Sequence, residues 1–272
     1  DHDPLENGVS PQLSTPPQVA AVARPVEPLA PGAQRADEGR RVNDAPRLQV
    51  AGHHMPLRTK LYGRQPDLAR LRQWIVGEGC QLVGIFGIGG QGKSALAATL
   101  VRGLAEAATP PHPLETGAAG DQGGFRHIIW HSLLNAPSLA EVLQEWVYIL
   151  SDQMVTTLPT SLDQQFRQLI AYLRQHRCML ILDNLESILQ SAEHSGDYRP
   201  GYEAYGQLFQ RLASGGHHSC LLLTSRERPQ DLTHLDEDTP TVRFLSLAGL
   251  PTDAGRQMLQ ARGLVDDPTE LG

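Results

Sequence analysis

Between residues 87 and 94 the chain reads Gly87-Ile88-Gly89-Gly90-Gln91-Gly92-Lys93-Ser94, a complete Gly-x-x-x-x-Gly-Lys-Ser sequence, and its flanks restrict the folds that can carry it. Gln81-Leu82-Val83-Gly84-Ile85-Phe86 leads in as a buried parallel strand would, and Ala95-Leu96-Ala97-Ala98-Thr99-Leu100-Val101 follows as a strong helix former. Strand, glycine loop and helix therefore stand in the order of a phosphate-binding loop. The glycines permit torsions and close approach that a Cβ forbids, so amide N–H groups from Gly87 to Ala95 can point inward at phosphate oxygens. The helix N-terminus adds its positive dipole end. Lys93 supplies counter-charge for β- and γ-phosphates, and the Ser94 hydroxyl is placed to ligate a bridging magnesium ion. Four fixed positions recur by accident in roughly one chain of this length in a hundred, before the flanking pattern is counted.

Around this loop lies an ordinary globular composition, 40% hydrophobic and 19% charged over 272 residues, enough for one sizeable core plus a tail. The net charge of −7 offers no blanket electrostatic attraction for nucleic acid. Cys80, Cys178 and Cys220 adjoin or lie in apolar strand-like runs without paired or metal-ligand spacing, and read as small core residues of a reducing cytoplasm. No apolar stretch reaches the roughly 18 residues that span a bilayer, and no signal-peptide pattern opens the chain. A chain starting at Asp1 and stopping at Gly272 reads as a fragment of something longer.

Three segments follow from the pattern. Residues 1–58 carry prolines at 4, 11, 16, 17, 25, 28, 31, 46 and 56 with no apolar periodicity, the composition of a disordered linker. Residues 59–246 read as an α/β domain. A helix with apolar Leu68, Leu71, Trp74 and Ile75 precedes the P-loop strand, and a Gly/Pro-rich loop at 109–124 leads to a second strand, Phe125 to His131. Two helices follow, whose starts at Ser138–Glu141 and Ser161–Gln164 both fit a capping box. Further strands are expected at Cys178–Leu182, Cys220–Leu223 and Val242–Leu245, with a helix near 203–213. The sum is a parallel five-stranded sheet with helices on both faces. Residues 247–272 read as the truncated start of a helical subdomain.

Two strands end in chemistry at the carboxyl edge, where open α/β sheets bind ligands. Asp183 closes an unbroken apolar run, the position of an aspartate that holds magnesium; the alternative is an aspartate capping the next turn. Glu186 is a candidate general base, its rival reading a solvated glutamate at a helix start. Asn184 stands where a second acid would take a proton, so hydrolysis is expected to be slow. Arg226 is a candidate γ-phosphate sensor, the alternative being a surface pair with Glu227. His53 with His54, His127 with His131, and His217 with His218 lack a third ligand and read as solvated or packed side chains. Trp130 and Trp146 sit on apolar faces and read as core.

In this order, residues 61 to about 260 resemble the NB-ARC branch of the STAND class of P-loop NTPases. Leu61-Tyr62-Gly63-Arg64-Gln65 is similar to that family's opening motif, with Gln65 in place of its acid. Leu180 to Asn184 is similar to its Walker B strand, Leu222-Leu223-Thr224-Ser225-Arg226 to its sensor strand, and Leu245 to Leu250 with Ala254 and Met258-Leu259 to the start of its helical subdomain. Ile129 to Leu133 and Leu182 to Ser187 look like bacterial multidomain members fused to repeats. Gly249-Leu250-Pro251 stands too early for the family's adenine-contacting Gly-Leu-Pro motif.

The resemblance implies a switch. ADP would hold a closed state and ATP with Mg2+ an open one that self-associates in the longer protein, with Tyr62 and Arg64 joining Gly87–Ala95 around the nucleotide and the stimulus sensed elsewhere. Two other readings remain open: a motor-type P-loop ATPase acting on nucleic acid or protein, and a kinase-like phosphoryl transferase.

Overall fold

The apolar runs that end at Phe86, Ser132, Asp183, Ser225 and Ser246 become strands, and helices pack on both faces of the sheet they form. In the computed structural model the described residues are 48–52, 54–57, 60–108, 124–190, 196–233, 235 and 239–264, all within one compact unit, Asp44–Gly272. The strands are β1 (Gln49–Gly52), β2 (Leu82–Phe86), β3 (His127–Ser132), β4 (Cys178–Asp183), β5 (Cys220–Ser225) and β6 (Val242–Ser246). The helices are α1 (Gln65–Arg72), prolonged by a π-helical turn Gln73–Gly77, then α2 (Lys93–Ala108), α3 (Leu139–Leu150), α4 (Leu162–Gln175), α5 (Ala204–Ser214) and α6 (Thr252–Gln260).

All strand pairs are parallel, in the spatial order β1-β3-β4-β5-β2-β6. Strand β4 shows how the core is built. Cys178, Leu180 and Leu182 join the cluster under α3, α4 and α5, which holds Trp146, Phe166 and Phe209. Met179 and Ile181 face the other way, into the cluster with Leu71 of α1 and Leu96 and Leu100 of α2. A strand buried on both faces loses the polar alternation of an exposed one, hence the unbroken apolar runs. Each fully buried leucine stabilises the fold by about 1.5–3 kcal/mol.

Register fixes the functional edge. Phe86 lies opposite Ser225, Leu182 opposite Leu223, and Ser132 opposite Asp183. The P-loop, Asp183 and residues 224–226 therefore leave the sheet together, with β5 between the P-loop strand and the Asp183 strand.

The structure departs from the sequence reading in two places. The sheet has six strands rather than five, because Gln49–Gly52, inside the stretch read as linker, pairs with β3 at the sheet edge. With Gln49, Val50 and Gly52 exposed, this strand carries almost no burial pattern to detect. Residues 1–47 of that stretch lie outside the described residues. The second departure is at α4. Ser138 forms the expected capping box with Glu141, but the Ser161 hydroxyl makes no cap bond. The Ser161 carbonyl accepts from Gln164 N at 3.0 Å and Gln165 N at 3.1 Å, so the backbone already satisfies the donor the hydroxyl would have served.

Candidate functional site

The loop from Gly87 to Gly92 turns out of β2 and straight into α2, which begins at Lys93. Gly90 and Gly92 have φ of +81° and +87°, values that residues with a Cβ rarely adopt. Lys93 is only 8% exposed, and its ammonium donates to the carbonyls of Gly87 at 2.6 Å and Ile88 at 3.2 Å. This bends the side chain back over its own loop. Burial pushes Lys93 below the ordinary lysine value; Glu186 and Asp183 oppose the fall and Arg226 adds to it.

Asp183, 3% exposed, sits at the focus of the edge. Its Oδ1 accepts from Ser94 Oγ at 2.7 Å and from the Thr224 hydroxyl. The same Thr224 oxygen accepts from Asn184 N at 3.1 Å, so one threonine ties β4 to β5. Asn184 takes the left-handed region at φ +63°, turning the chain sharply into the 3-10 turn Leu185–Ile188 that carries Glu186. Burial raises the Asp183 carboxyl above the usual range, the two hydroxyls opposing and the Glu186 charge adding to the rise. A carboxylate made costly by burial, next to a serine oxygen, is a hard oxygen donor set that a divalent cation would satisfy, so Ser94 and Asp183 fit magnesium.

Glu186 and Arg226 meet across the cleft. Arg226 N donates to Glu186 Oε2 at 3.2 Å, and Arg226 Nε pairs with Oε1 at 3.2 Å. The guanidinium lies over the loop, with its Cζ 3.2 Å from where a Cβ on Gly89 would stand. Gly89, Gly90, Gly92, Lys93, Ser94, Ala95, Asn184, Glu186 and Arg226 together line a cleft of 250 Å³. Arg226 thus pairs with Glu186 rather than Glu227, which instead donates its N–H to Ser225 Oγ at 3.3 Å.

No protein-family model matches the chain. A WD repeat-containing protein of Nostoc sp., itself uncharacterized, is 38% identical over 202 residues, which are 74% of this chain and 15% of that protein's length. Among solved structures, the ORC1 protein of Aeropyrum pernix in complex with DNA superposes with a TM-score of 0.50 at 17% identity, over 75% of this chain and 50% of that one. A Walker-type ATPase of Pyrococcus abyssi gives a TM-score of 0.46 at 16% identity, over 79% and 63%. The fold is that of a P-loop NTPase. The parallel sheet and flanking helices of that fold deliver the loop and the ends of β4 and β5 to one place.

The remaining candidate residues do not line the cleft. Gly87, Ile88 and Gln91 shape the loop without lining the cleft, and Ile88 is 74% exposed. Tyr62 and Arg64 do not line it either. Arg64 is 5% exposed, and its Nη2 donates to the carbonyls of Gln91 at 3.2 Å and Ala248 at 2.7 Å, with Nη1 on Asp67 Oδ2 at 3.3 Å. Its observed work is to brace the loop from behind. The three cysteines are buried and free, and Trp130 and Trp146 are core. His131 pairs with Glu145 at 2.8 Å, and no group of three or more His, Cys, Asp or Glu suited to a metal occurs among the described residues. His53 lies outside them. Among the described residues no helix is long and apolar enough to cross a membrane. Sequence reading placed Thr224 in the sensor strand but gave it no role, since its bond to Asp183 arises only from the pairing of β4 with β5.

Proposed function

We propose that the chain is the nucleotide-binding switch of a longer signal-transduction ATPase, similar to the NB-ARC branch of the STAND class. It would bind ATP and ADP, hydrolyse ATP slowly with Mg2+, and through that cycle control self-association. The observation that carries this reading is the meeting of Lys93, Ser94, Glu186 and Arg226 at one 250 Å³ cleft, with Asp183 bonded to Ser94 at its edge. The relative with WD repeats, of which the match spans 15%, supports a module within a larger repeat-bearing protein.

In this reading Lys93 leaves the carbonyls of Gly87 and Ile88 for β- and γ-phosphate oxygens. Ser94 and Asp183 would hold a magnesium ion, which would supply counter-charge for the phosphates. Glu186 orients and deprotonates the attacking water once Arg226 has moved from it to the γ-phosphate. Arg64 would act on the nucleotide through the loop it bonds at Gln91 O, and Tyr62 would join the nucleotide site beside it. A cytoplasmic protein with free thiols fits the same picture.

Calorimetric titration of ADP and ATP, with and without Mg2+, into the parent and Lys93→Ala tests the proposal. Binding in the parent and its loss in the variant, at unchanged far-ultraviolet circular dichroism, is the expected result. Equal affinity in both would refute it. Steady turnover stimulated severalfold by DNA, RNA or an unfolded polypeptide would instead favour a motor.

A further inference from the structure

Behind the Glu186–Arg226 pair, the two loops that carry these residues are joined a second time, by groups that take no part in the cleft. After the turn bearing Glu186 the chain doubles back: Leu189 and Tyr198 form an antiparallel bridge, Arg199 N donates to Ile188 O at 2.9 Å, and Gln190 Nε2 to Tyr198 O at 2.9 Å. Tyr198 is thereby fixed to the Glu186 turn. On the other side, the loop that leaves β5 through Arg226 continues into a short 3-10 turn, Gln230–Leu232. The Tyr198 hydroxyl lies 3.1 Å from Asp231 Oδ1 and 3.2 Å from Oδ2, donating its proton between them. Gln230 N adds a bond to Gly196 O at 3.0 Å.

Two glycines clear the space for this contact. A Cβ on Gly206, inside α5, would fall 2.2 Å from Asp231 Oδ2 and 3.1 Å from the Tyr198 ring. A Cβ on Gly196, where φ is +92°, would fall 2.9 Å from Arg228 O. Glycine in a helix interior is less favourable than alanine, so α5 accepts a weaker helix where it lets the carboxylate in. Burial raises both the Tyr198 phenol and the Asp231 carboxyl above their ordinary values.

We infer that Tyr198 and Asp231 are positioning residues: their hydrogen bond sets the spacing between the Glu186 turn and the Arg226 loop, and so sets how readily Arg226 passes from Glu186 to a γ-phosphate. This rests on the proposed γ-phosphate role of Arg226. Neither residue touches nucleotide. Each acts through the loop it holds.

The test compares Tyr198→Phe, Asp231→Asn, Arg226→Ala and the Tyr198→Phe/Arg226→Ala double variant in the full 272-residue chain, measuring ADP and ATP affinity by calorimetry. Tyr198→Phe keeps the ring and loses the bond, so the preference for ATP relative to ADP should shift by about three- to tenfold with ADP affinity unchanged. Asp231→Asn keeps an acceptor for the phenol and should behave as the parent. The double variant should match Arg226→Ala alone, because spacing no longer matters without the guanidinium. A parental ATP-to-ADP ratio in Tyr198→Phe, while Arg226→Ala has lost it, overturns the inference. So does an additive effect in the double variant. If Arg226→Ala itself keeps the parental ratio, the sensor reading falls and this inference falls with it.

Discussion

Glu186 grips Arg226 by backbone and side chain together, one carboxylate oxygen on the amide N–H and the other on Nε, both at 3.2 Å. The base and the sensor of the proposed reaction therefore occupy each other. Glu186→Gln should release the guanidinium as well as remove the base, so ATP should bind as tightly as in the parent or tighter while hydrolysis slows. Arg226→Ala should weaken ATP by roughly ten- to a hundredfold, the worth of a charged hydrogen bond, and leave ADP nearly unchanged. Titrations with each nucleotide and single-turnover hydrolysis assays distinguish the two. Equal weakening of ADP and ATP in Arg226→Ala would remove it as a sensor.

Arg64 predicts a different signature. Its guanidinium bonds the P-loop at Gln91 O and the outgoing chain at Ala248 O, so Arg64→Ala should weaken ADP and ATP alike. Losing about 1.5–3 kcal/mol of charged hydrogen bonding should also lower Tm by roughly 3–12 °C. A changed ATP-to-ADP ratio at parental Tm would show that Arg64 meets the nucleotide directly.

Strand β1 makes a prediction about truncation. A chain beginning at residue 48 retains Gln49–Gly52 against β3, and one beginning at residue 58 does not. The shorter chain should melt at a lower temperature, with faster amide exchange along Ile128–Trp130, whose strand has become the sheet edge. Identical melting curves would mean that β1 contributes no net stability.

The histidines predict an acid limb. Burial lowers His127, His176 and His217 below the ordinary value of 6.5, Arg126 adding to the fall at His127 and His176. The unfolded chain then binds protons that the folded chain refuses, so the stability present above about pH 6.5 is lost as pH falls below it. Tm should drop between pH 7 and pH 5. His127→Gln, which keeps an acceptor for Arg126 Nε, should flatten that drop; an unchanged slope would exonerate His127.

Much of the site was legible because its chemistry is contiguous. Gly87 to Ser94 announces itself, and an apolar run stopping dead at Asp183 marks the edge of a sheet buried on both faces. What stayed hidden depends on contacts between distant segments. Arg226 had an acidic neighbour in Glu227 and took Glu186, forty positions away, because β4 and β5 are adjacent strands. The hydroxyl of Ser161 had a fitting glutamine three residues on and was bypassed by its own carbonyl. Arg64 stood in a motif associated with nucleotide, yet its hydrogen bonds run to two backbone oxygens and Asp67. Residue type narrows the partners a side chain can accept, and topology selects among them.

One guanidinium holds both the P-loop, at Gln91 O, and the chain leaving β6, at Ala248 O. Helix α6 follows within a few residues, so a displacement of the chain there would reach the carbonyl of Gln91 through this guanidinium. Linkage then works in both directions: by whatever factor nucleotide alters the affinity of a partner held at that exit, the partner alters nucleotide affinity by the same factor. A group that binds behind the loop, at Ala248, would then tune the cleft without entering it.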